Sequence, residues 1–182
     1  PTKLANCPMA AMVDVNGLRQ LKAKYPNAAV VSYVNKTAEV KAESDICCTS
    51  ANAVKVVNSL AEEDVIFVPD SNLASYVMRN TEKKIIPWNG WCYVHQKFSP
   101  ESLSRAKVRH IDAKVLVHPE CIPEVVDLAD EVCSTTGMIN YVRQSQDKKF
   151  IIATEIGVID RLRLEFPEKI FFQAPPGGIC LQ

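Results

Sequence analysis

Short runs of β-branched and aliphatic residues alternate along the chain with amphipathic stretches at helical spacing. In the first half, the runs predict strands over 29–34, 45–48, 65–68 and 84–87, separated by helices over 37–43, 50–60 and 73–80. Near-continuous apolar strands of this kind are typical of parallel sheets that helices cover on both faces. The pattern therefore predicts the α/β class.

The same order of elements recurs in the second half. Strands are predicted over 115–117, 131–133, 151–153 and 170–172, and helices over 123–128, 137–144 and 156–166. Equivalent positions lie 85 residues apart, as in the pairs Tyr33 and His118, Asn35 and Glu120, Ser50 and Thr135, and Asp70 and Glu155. The repeat predicts tandem αβα units over 13–97 and 98–182, with 1–12 as the end of a preceding unit.

Composition and charge narrow the class of protein. The 182 residues are 47% hydrophobic and 23% charged, which suits a folded globular chain. The 21 basic residues balance 21 acidic ones, which argues against a nucleic-acid partner. No apolar run approaches the roughly 18 residues of a membrane helix, and no signal peptide opens the chain. We therefore expect a cytoplasmic protein without a membrane partner.

The seven cysteines form neither a CxxC pair nor a dense disulfide pattern. They are buried apolar residues, cluster ligands or a mixture of the two. Cys7 and Cys92 lie 85 residues apart, and Cys180 lies 88 beyond Cys92. This recurrence, once per unit, favours a ligand role for these three. The other four are predicted to be structural, namely Cys47, Cys48, Cys121 and Cys133.

Three thiolates could hold more than one kind of metal centre. Zinc would normally recruit a fourth protein ligand, and no histidine recurs beside the three cysteines. An iron–sulfur cubane usually takes four cysteines, so three would leave one iron with an open position. Such an iron is a Lewis acid that can polarise a hydroxyl or a carbonyl group.

Five stretches of the chain resemble the quinolinate synthase family, in its order and at its spacing. They are NCPMA (6–10), YVNKTAEVKA (33–42), CTSANA (48–53), GWCYVH (90–95) and VHPEC (117–121). The resemblance implies three αβα domains about a pseudo-threefold axis, with a [4Fe–4S] cluster on Cys7, Cys92 and Cys180. It also implies condensation of iminoaspartate with dihydroxyacetone phosphate to quinolinate, phosphate and water, for NAD biosynthesis.

Two further expectations come from this resemblance. The iminoaspartate would be supplied by an L-aspartate oxidase or an aspartate dehydrogenase. The chain lacks the family's first domain and its C-terminal segment, so we expect a fragment that is inactive alone.

The resemblance assigns catalytic roles to Glu120, Tyr33 and His118, and substrate binding to these residues and Asn35. All four follow predicted strands, and ligands of parallel α/β units gather at the carboxyl ends of strands. Glu120 would be the general base, with its pKa raised towards neutrality, or alternatively a helix-start carboxylate. His118 would anchor a substrate carboxylate or phosphate, or alternatively bond to the backbone.

Hydroxyl groups at predicted helix starts are candidates for anion binding. Ser50, at the start of the helix predicted over 50–60, and Thr135, just before the helix predicted over 137–144, would bind substrate carboxylates or phosphate, or alternatively act as plain N-caps. Trp88 and Trp91 are expected to pack around Cys92, and His95 to donate a hydrogen bond to a cluster sulfur. The alternative function is a small-molecule-binding or redox-sensing module without catalysis.

Overall fold

A computed structural model describes residues 7–180, which form two compact units. The chain passes from the first unit to the second between Cys92 and Tyr93. The boundary between compact units need not coincide with the boundary between sequence repeats. The domain bounds predicted from the repeat, 1–12, 13–97 and 98–182, therefore stay predictions.

The first unit is a three-layer αβα sandwich. After a 3₁₀ turn at Ala10–Met12, its elements are α1 Val15–Lys24, β1 Ala29–Tyr33, α2 Ala38–Ala42, β2 Ile46–Cys48, α3 Ala53–Asn58, β3 Asp64–Val68, α4 Ser71–Met78 and β4 Lys84–Pro87. The strands are parallel in the order β2-β1-β3-β4. One apolar cluster joins α1 and α2 to one face of the sheet, and another joins α3 and α4 to the opposite face.

The second unit repeats this plan. After a 3₁₀ turn at His95–Lys97, its elements are α5 Pro100–Arg109, β5 Lys114–Val117, α6 Pro123–Val126, β6 Glu131–Val132, α7 Thr135–Gln144, β7 Lys149–Ala153, α8 Ile156–Glu165 and β8 Ile170–Gln173. Its parallel strands run in the order β6-β5-β7-β8. Helices α5 and α6 cover one face, and α7 and α8 cover the other. The predicted α/β class with tandem αβα units is confirmed.

The two central strand pairs share one register. Val31 pairs with Phe67 in the first sheet, and Leu116 pairs with Ile152 in the second, each 85 residues further on. The last strand of the second unit is shifted by one additional residue, because Ile66 pairs with Ile86 whereas Ile151 pairs with Phe172. This shift accounts for part of the longer spacing between Cys92 and Cys180.

Helices α1 and α5 were not predicted from the sequence. Each starts at a side-chain cap, the carboxylate of Asp14 for α1 and the hydroxyl of Ser99 for α5. Both helices contain few apolar residues, since α1 buries only Leu18, and α5 only Leu103 and Ala106, so they do not stand out from the polar segments around them. Within residues 7–180, none of the helices has both the length and the apolar character that crossing a membrane requires.

Candidate functional site

A buried polar cluster lies at the carboxyl ends of the two central strands of the second unit. His118 directly follows β5, and Thr154 directly follows β7. Glu120 lies in the turn after His118, and His95 comes from the 3₁₀ turn that opens the unit. The four residues are between 0% and 6% exposed. Since polar side chains are seldom buried without hydrogen-bond partners, such a cluster at a strand end indicates a built site.

The backbone around His118 and Glu120 is held in place by hydrogen bonds. His118 N–H donates to the Ala153 carbonyl at 3.2 Å and so extends the pairing of β5 with β7. Cys121 N–H donates to the His118 carbonyl at 3.0 Å, which closes a turn with Pro119 at its second position. The buried Cys121 thiol lies 3.7 Å from the Ala153 carbonyl, in agreement with its predicted structural role.

His95 links Glu120 to Thr154. Its Nδ1 lies 3.0 Å from Glu120 Oε2, and its Nε2 lies 2.9 Å from Thr154 Oγ1. Both ring nitrogens are therefore engaged inside the second unit, so the predicted hydrogen bond from His95 to a cluster sulfur is wrong. Glu120 lies two residues before Ile122, the N-cap of α6, and its carboxylate faces the His95 ring. This geometry favours the site residue over the helix-start carboxylate.

His118 is held as a neutral imidazole. The Glu120 backbone N–H donates to His118 Nδ1 at 3.3 Å, so the ring proton resides on Nε2. Burial, and then the neighbouring His95, lower the pKa of His118 to about 3, against an opposing effect of Glu120. The alternative role considered for His118, a hydrogen bond to the backbone, is thus present at Nδ1. Nε2 makes no hydrogen bond to another of the described residues, so it can donate to a ligand.

The His118 and His95 rings are stacked, with centroids 4.2 Å apart and planes inclined by 6°. Neither His95 nor Thr154 was assigned to the Glu120 cluster from the sequence. For Thr154 a signal existed, because it follows the strand predicted over 151–153 just as His118 follows the strand predicted over 115–117.

The equivalent strand end of the first unit is more open. Tyr33, the last residue of β1, is half-buried against the apolar cluster of α3 and α4, and Asn35 is exposed. Lys36 is buried, and its Nζ donates to the Met9 carbonyl at 3.1 Å. We predicted that Tyr33 and Asn35 share one cavity with His118 and Glu120. Because that cavity would involve both units, it stays a prediction.

The loop that carries Cys92 is anchored by a buried carboxylate. Asp70 is 0% exposed, and it accepts hydrogen bonds from Leu73 N–H at 2.7 Å and from Cys92 N–H at 2.9 Å. Ser71 N–H donates to the Gly90 carbonyl at 2.7 Å. A side chain at Gly90 would place its Cβ 2.6 Å from the Pro69 carbonyl oxygen, so only glycine allows this approach. The backbone position of Cys92 is therefore well defined.

Of the other two predicted ligands, Cys180 lies in a loop comparable to that of Cys92 and Cys7 lies in a turn. In the second unit Glu155 and Gly178 form the bridge equivalent to that between Asp70 and Gly90, and exposed Cys180 follows. Half-buried Cys7 opens the first described turn, where its carbonyl accepts from Ala10 N–H at 2.8 Å.

The described cysteines differ in exposure. All seven are free thiols, and the three predicted ligands are half-buried or exposed, whereas Cys48 and Cys121 are buried. Cys47 and Cys133 are half-buried; Cys133 packs against the apolar cluster of α7 and α8, and burial, with a contribution from Glu131, raises the pKa of Cys133 to about 12. Thiolates are the usual ligands of iron–sulfur clusters, so the donor chemistry of the three predicted ligands fits that group. Where they lie relative to one another across the two units stays a prediction.

The surroundings of Cys92 differ in part from expectation. Trp88 packs in the first unit, where its Nε1 donates to the Met12 carbonyl at 2.8 Å. Trp91 is 38% exposed, so the predicted packing is wrong for Trp91 in the described chain, and the packing of Trp88 around Cys92 stays a prediction.

The predicted caps at Ser50 and Thr135 are displaced. Helix α3 begins three residues after Ser50, which lies in a turn, and the cap position is Asn52. Thr135 is the first residue of α7, and the cap is Ser134, whose hydroxyl accepts from Gly137 N–H. The roles of Ser50 and Thr135 in anion binding stay predictions, but neither residue is an N-cap.

Comparison with known proteins agrees with this architecture. The sequence model of the Quinolinate synthetase A protein family matches residues 1–182. The quinolinate synthase of Methanoregula boonei is 56% identical over 181 residues, which are 100% of this chain and 60% of the relative. That of Geobacter sp. strain M21 is 55% identical over 176 residues, and that of Methanosarcina barkeri 56%, each covering 97% of this chain and 58% of the relative. The chain thus spans about 60% of the length of these relatives. It belongs to the Quinolinate synthetase A protein family.

Proposed function

We propose that the chain forms part of a quinolinate synthase, which condenses iminoaspartate with dihydroxyacetone phosphate to quinolinate, phosphate and water in NAD biosynthesis. Family membership supports the proposal, and the observation that carries it is the buried cluster of His95, His118, Glu120 and Thr154. The iminoaspartate would come from an L-aspartate oxidase or an aspartate dehydrogenase, in the cytoplasm.

Glu120 is the proposed general base. The condensation and the dehydrations that follow it require protons to be removed from carbon and delivered to leaving oxygens, which a positioned carboxylate can do. His95 holds Glu120 Oε2 at 3.0 Å, and burial keeps bulk water away from the carboxylate. A carboxylate so restrained loses little freedom when the substrate arrives.

His118 is the proposed hydrogen-bond donor to substrate. Its Nδ1 is occupied by the Glu120 N–H, and its pKa is far below physiological pH, so Nε2–H donates without a positive charge. A neutral donor suits a carbonyl, carboxylate or phosphate oxygen without adding a charge beside Glu120. Tyr33, Asn35, Ser50 and Thr135 are proposed to complete the substrate site.

Cys7, Cys92 and Cys180 are the proposed ligands of a [4Fe–4S] cluster. When bound, the cluster would supply an open iron that polarises a substrate oxygen. The anchoring of Cys92 by Asp70 supports a ligand role, because a ligand loop fixed before binding loses less entropy when the metal is bound.

The test uses a chimera in which these 182 residues replace the matching segment of the Methanoregula boonei quinolinate synthase, reconstituted anaerobically with iron and sulfide. Glu120→Gln keeps shape and hydrogen-bonding capacity but removes the base, so quinolinate formation should slow by roughly 10²- to 10⁴-fold. Glu124→Gln is the matched control, since Glu124 is exposed in the first turn of α6 and should tolerate the change.

Three results would contradict the proposal. Near-normal turnover of the Glu120→Gln chimera with iron retained would remove Glu120 from catalysis. A parent chimera that is colourless, free of iron and inactive would favour the small-molecule-binding or redox-sensing module. We expect the 182-residue chain alone to make no quinolinate, so its activity would contradict the three-domain architecture.

A further inference from the structure

We propose that Thr154 is a positioning residue: its hydroxyl fixes the tautomer of His95 and thereby aims an N–H group at the Glu120 carboxylate. The contribution to catalysis rests on the proposed function. The tautomer itself does not, because it follows from hydrogen bonds within the second unit. Thr154 is 0% exposed, and its hydroxyl lies 2.9 Å from His95 Nε2.

The argument starts from the hydroxyl hydrogen of Thr154. Within the described residues, this hydroxyl has a single hydrogen-bond partner, His95 Nε2. If Nε2 carried a proton, the ring would donate to Oγ1, and the buried hydroxyl hydrogen would lack an acceptor. Leaving a buried donor unpaired costs about 1–3 kcal/mol. The hydroxyl therefore donates to Nε2, and the ring proton resides on Nδ1.

The tautomer of His95 determines whether Glu120 faces an N–H group or a nitrogen lone pair. With the proton on Nδ1, His95 donates to Glu120 Oε2 across 3.0 Å, which favours the ionised carboxylate that a general base needs. With the proton on Nε2, the Nδ1 lone pair would face Glu120 Oε2, and the two would repel unless the carboxyl group took up the proton that a general base must lack. Thr154 would thus act on Glu120 through His95.

The strand geometry supports the assignment. Thr154 follows Ala153, whose carbonyl accepts from His118 N–H at 3.2 Å, so the backbone next to Thr154 is held to the strand end of β5. His118 has the opposite tautomer, because its Nδ1 accepts from the Glu120 N–H. Two stacked imidazole rings thus carry their protons on different nitrogens, Nδ1 in His95 and Nε2 in His118.

The first experiment measures these tautomers in the 182-residue chain by ¹⁵N NMR of its histidine side chains. The parent should show a protonated Nδ1 for His95 and a protonated Nε2 for His118. Thr154→Val has the same shape without the hydroxyl, and it should move His95 towards the Nε2–H form. Thr154→Ser retains a hydroxyl and should restore the parental pattern. His118 should stay in the Nε2–H form throughout, and circular dichroism of each variant controls for general unfolding, because unfolded histidine also prefers the Nε2–H form.

The second experiment measures turnover in the chimera. Thr154→Val should lower kcat by roughly 10- to 100-fold with a small change in KM, and Thr154→Ser should recover most of the loss. An Nε2–H tautomer of His95 in the parent, or no change in Thr154→Val, would overturn the proposal. A shifted tautomer with unchanged kcat would overturn the catalytic part. An inactive parent chimera with the expected tautomers would instead count against the proposed function.

Discussion

Acid should destabilise the second unit through His118. This imidazole has an ordinary pKa of 6.5, which burial in the folded chain lowers to about 3. Between these two values the unfolded chain binds the proton and the folded chain does not. The contribution of neutral, buried His118 to the free energy of unfolding is therefore fully present above about pH 6.5. It is lost as the pH falls from 6.5 towards 3.

The size of the effect follows from the two pKa values. Each pKa unit corresponds to about 1.4 kcal/mol between protonation states. At pH 5.0 the unfolded imidazole is almost fully protonated and the folded one is almost fully neutral. His118 should therefore lower the free energy of unfolding by about 2 kcal/mol between pH 7.5 and pH 5.0.

The assay is urea unfolding of the 182-residue chain, followed by circular dichroism at pH 7.5, 6.5 and 5.0. The comparison is with His118→Asn, whose side-chain oxygen can take the place of Nδ1 as acceptor for the Glu120 N–H. The variant should be less stable at pH 7.5, but it should lose about 2 kcal/mol less than the parent on going to pH 5.0. Equal losses in the two proteins would show that folded His118 accepts a proton at pH 5.0, and the reasoning would fail.

Two further predictions concern the cysteines and the Cys92 loop. Serine at any one of the proposed ligands Cys7, Cys92 and Cys180 should strip iron from the anaerobically reconstituted chimera. Serine at Cys47, Cys48, Cys121 or Cys133 should leave the iron content nearly unchanged. Loss of iron on substitution of one of these four would overturn the assignment. Asp70→Ala should lower the free energy of unfolding by roughly 2–4 kcal/mol, because the amides of Leu73 and Cys92 lose their acceptor. Asp70→Asn keeps one acceptor oxygen and should cost less in the same urea titration; an Asp70→Ala chain as stable as the parent would contradict the anchoring role.

Most of the fold could be predicted because its signals are local. Strands buried on both faces must be apolar almost throughout, so runs such as 65–68 stand out from their surroundings. The 85-residue repeat is likewise visible without coordinates. Helices α1 and α5 were missed because each exposes most of its surface to solvent and so contains few apolar residues. The caps were misplaced because several hydroxyl and amide residues adjoin each helix start, and local backbone geometry selects one of them.

By itself, the sequence determined the α/β class, the tandem repeat, the family resemblance and the strand-end positions of Tyr33, Asn35, His118 and Glu120. Those features depend on side-chain type and spacing along the chain.

Only the tertiary structure decided which side chains meet at those strand ends. It joined His95 to Glu120 across 25 residues and to Thr154 across 59, and it brought Asp70 to the Cys92 amide. The sequence around one of these residues does not identify its hydrogen-bond partner, because the bond forms only after the sheet has placed its strand ends side by side. A hydrogen bond also requires a separation of about 3 Å and a defined direction, which residue types and spacing do not specify.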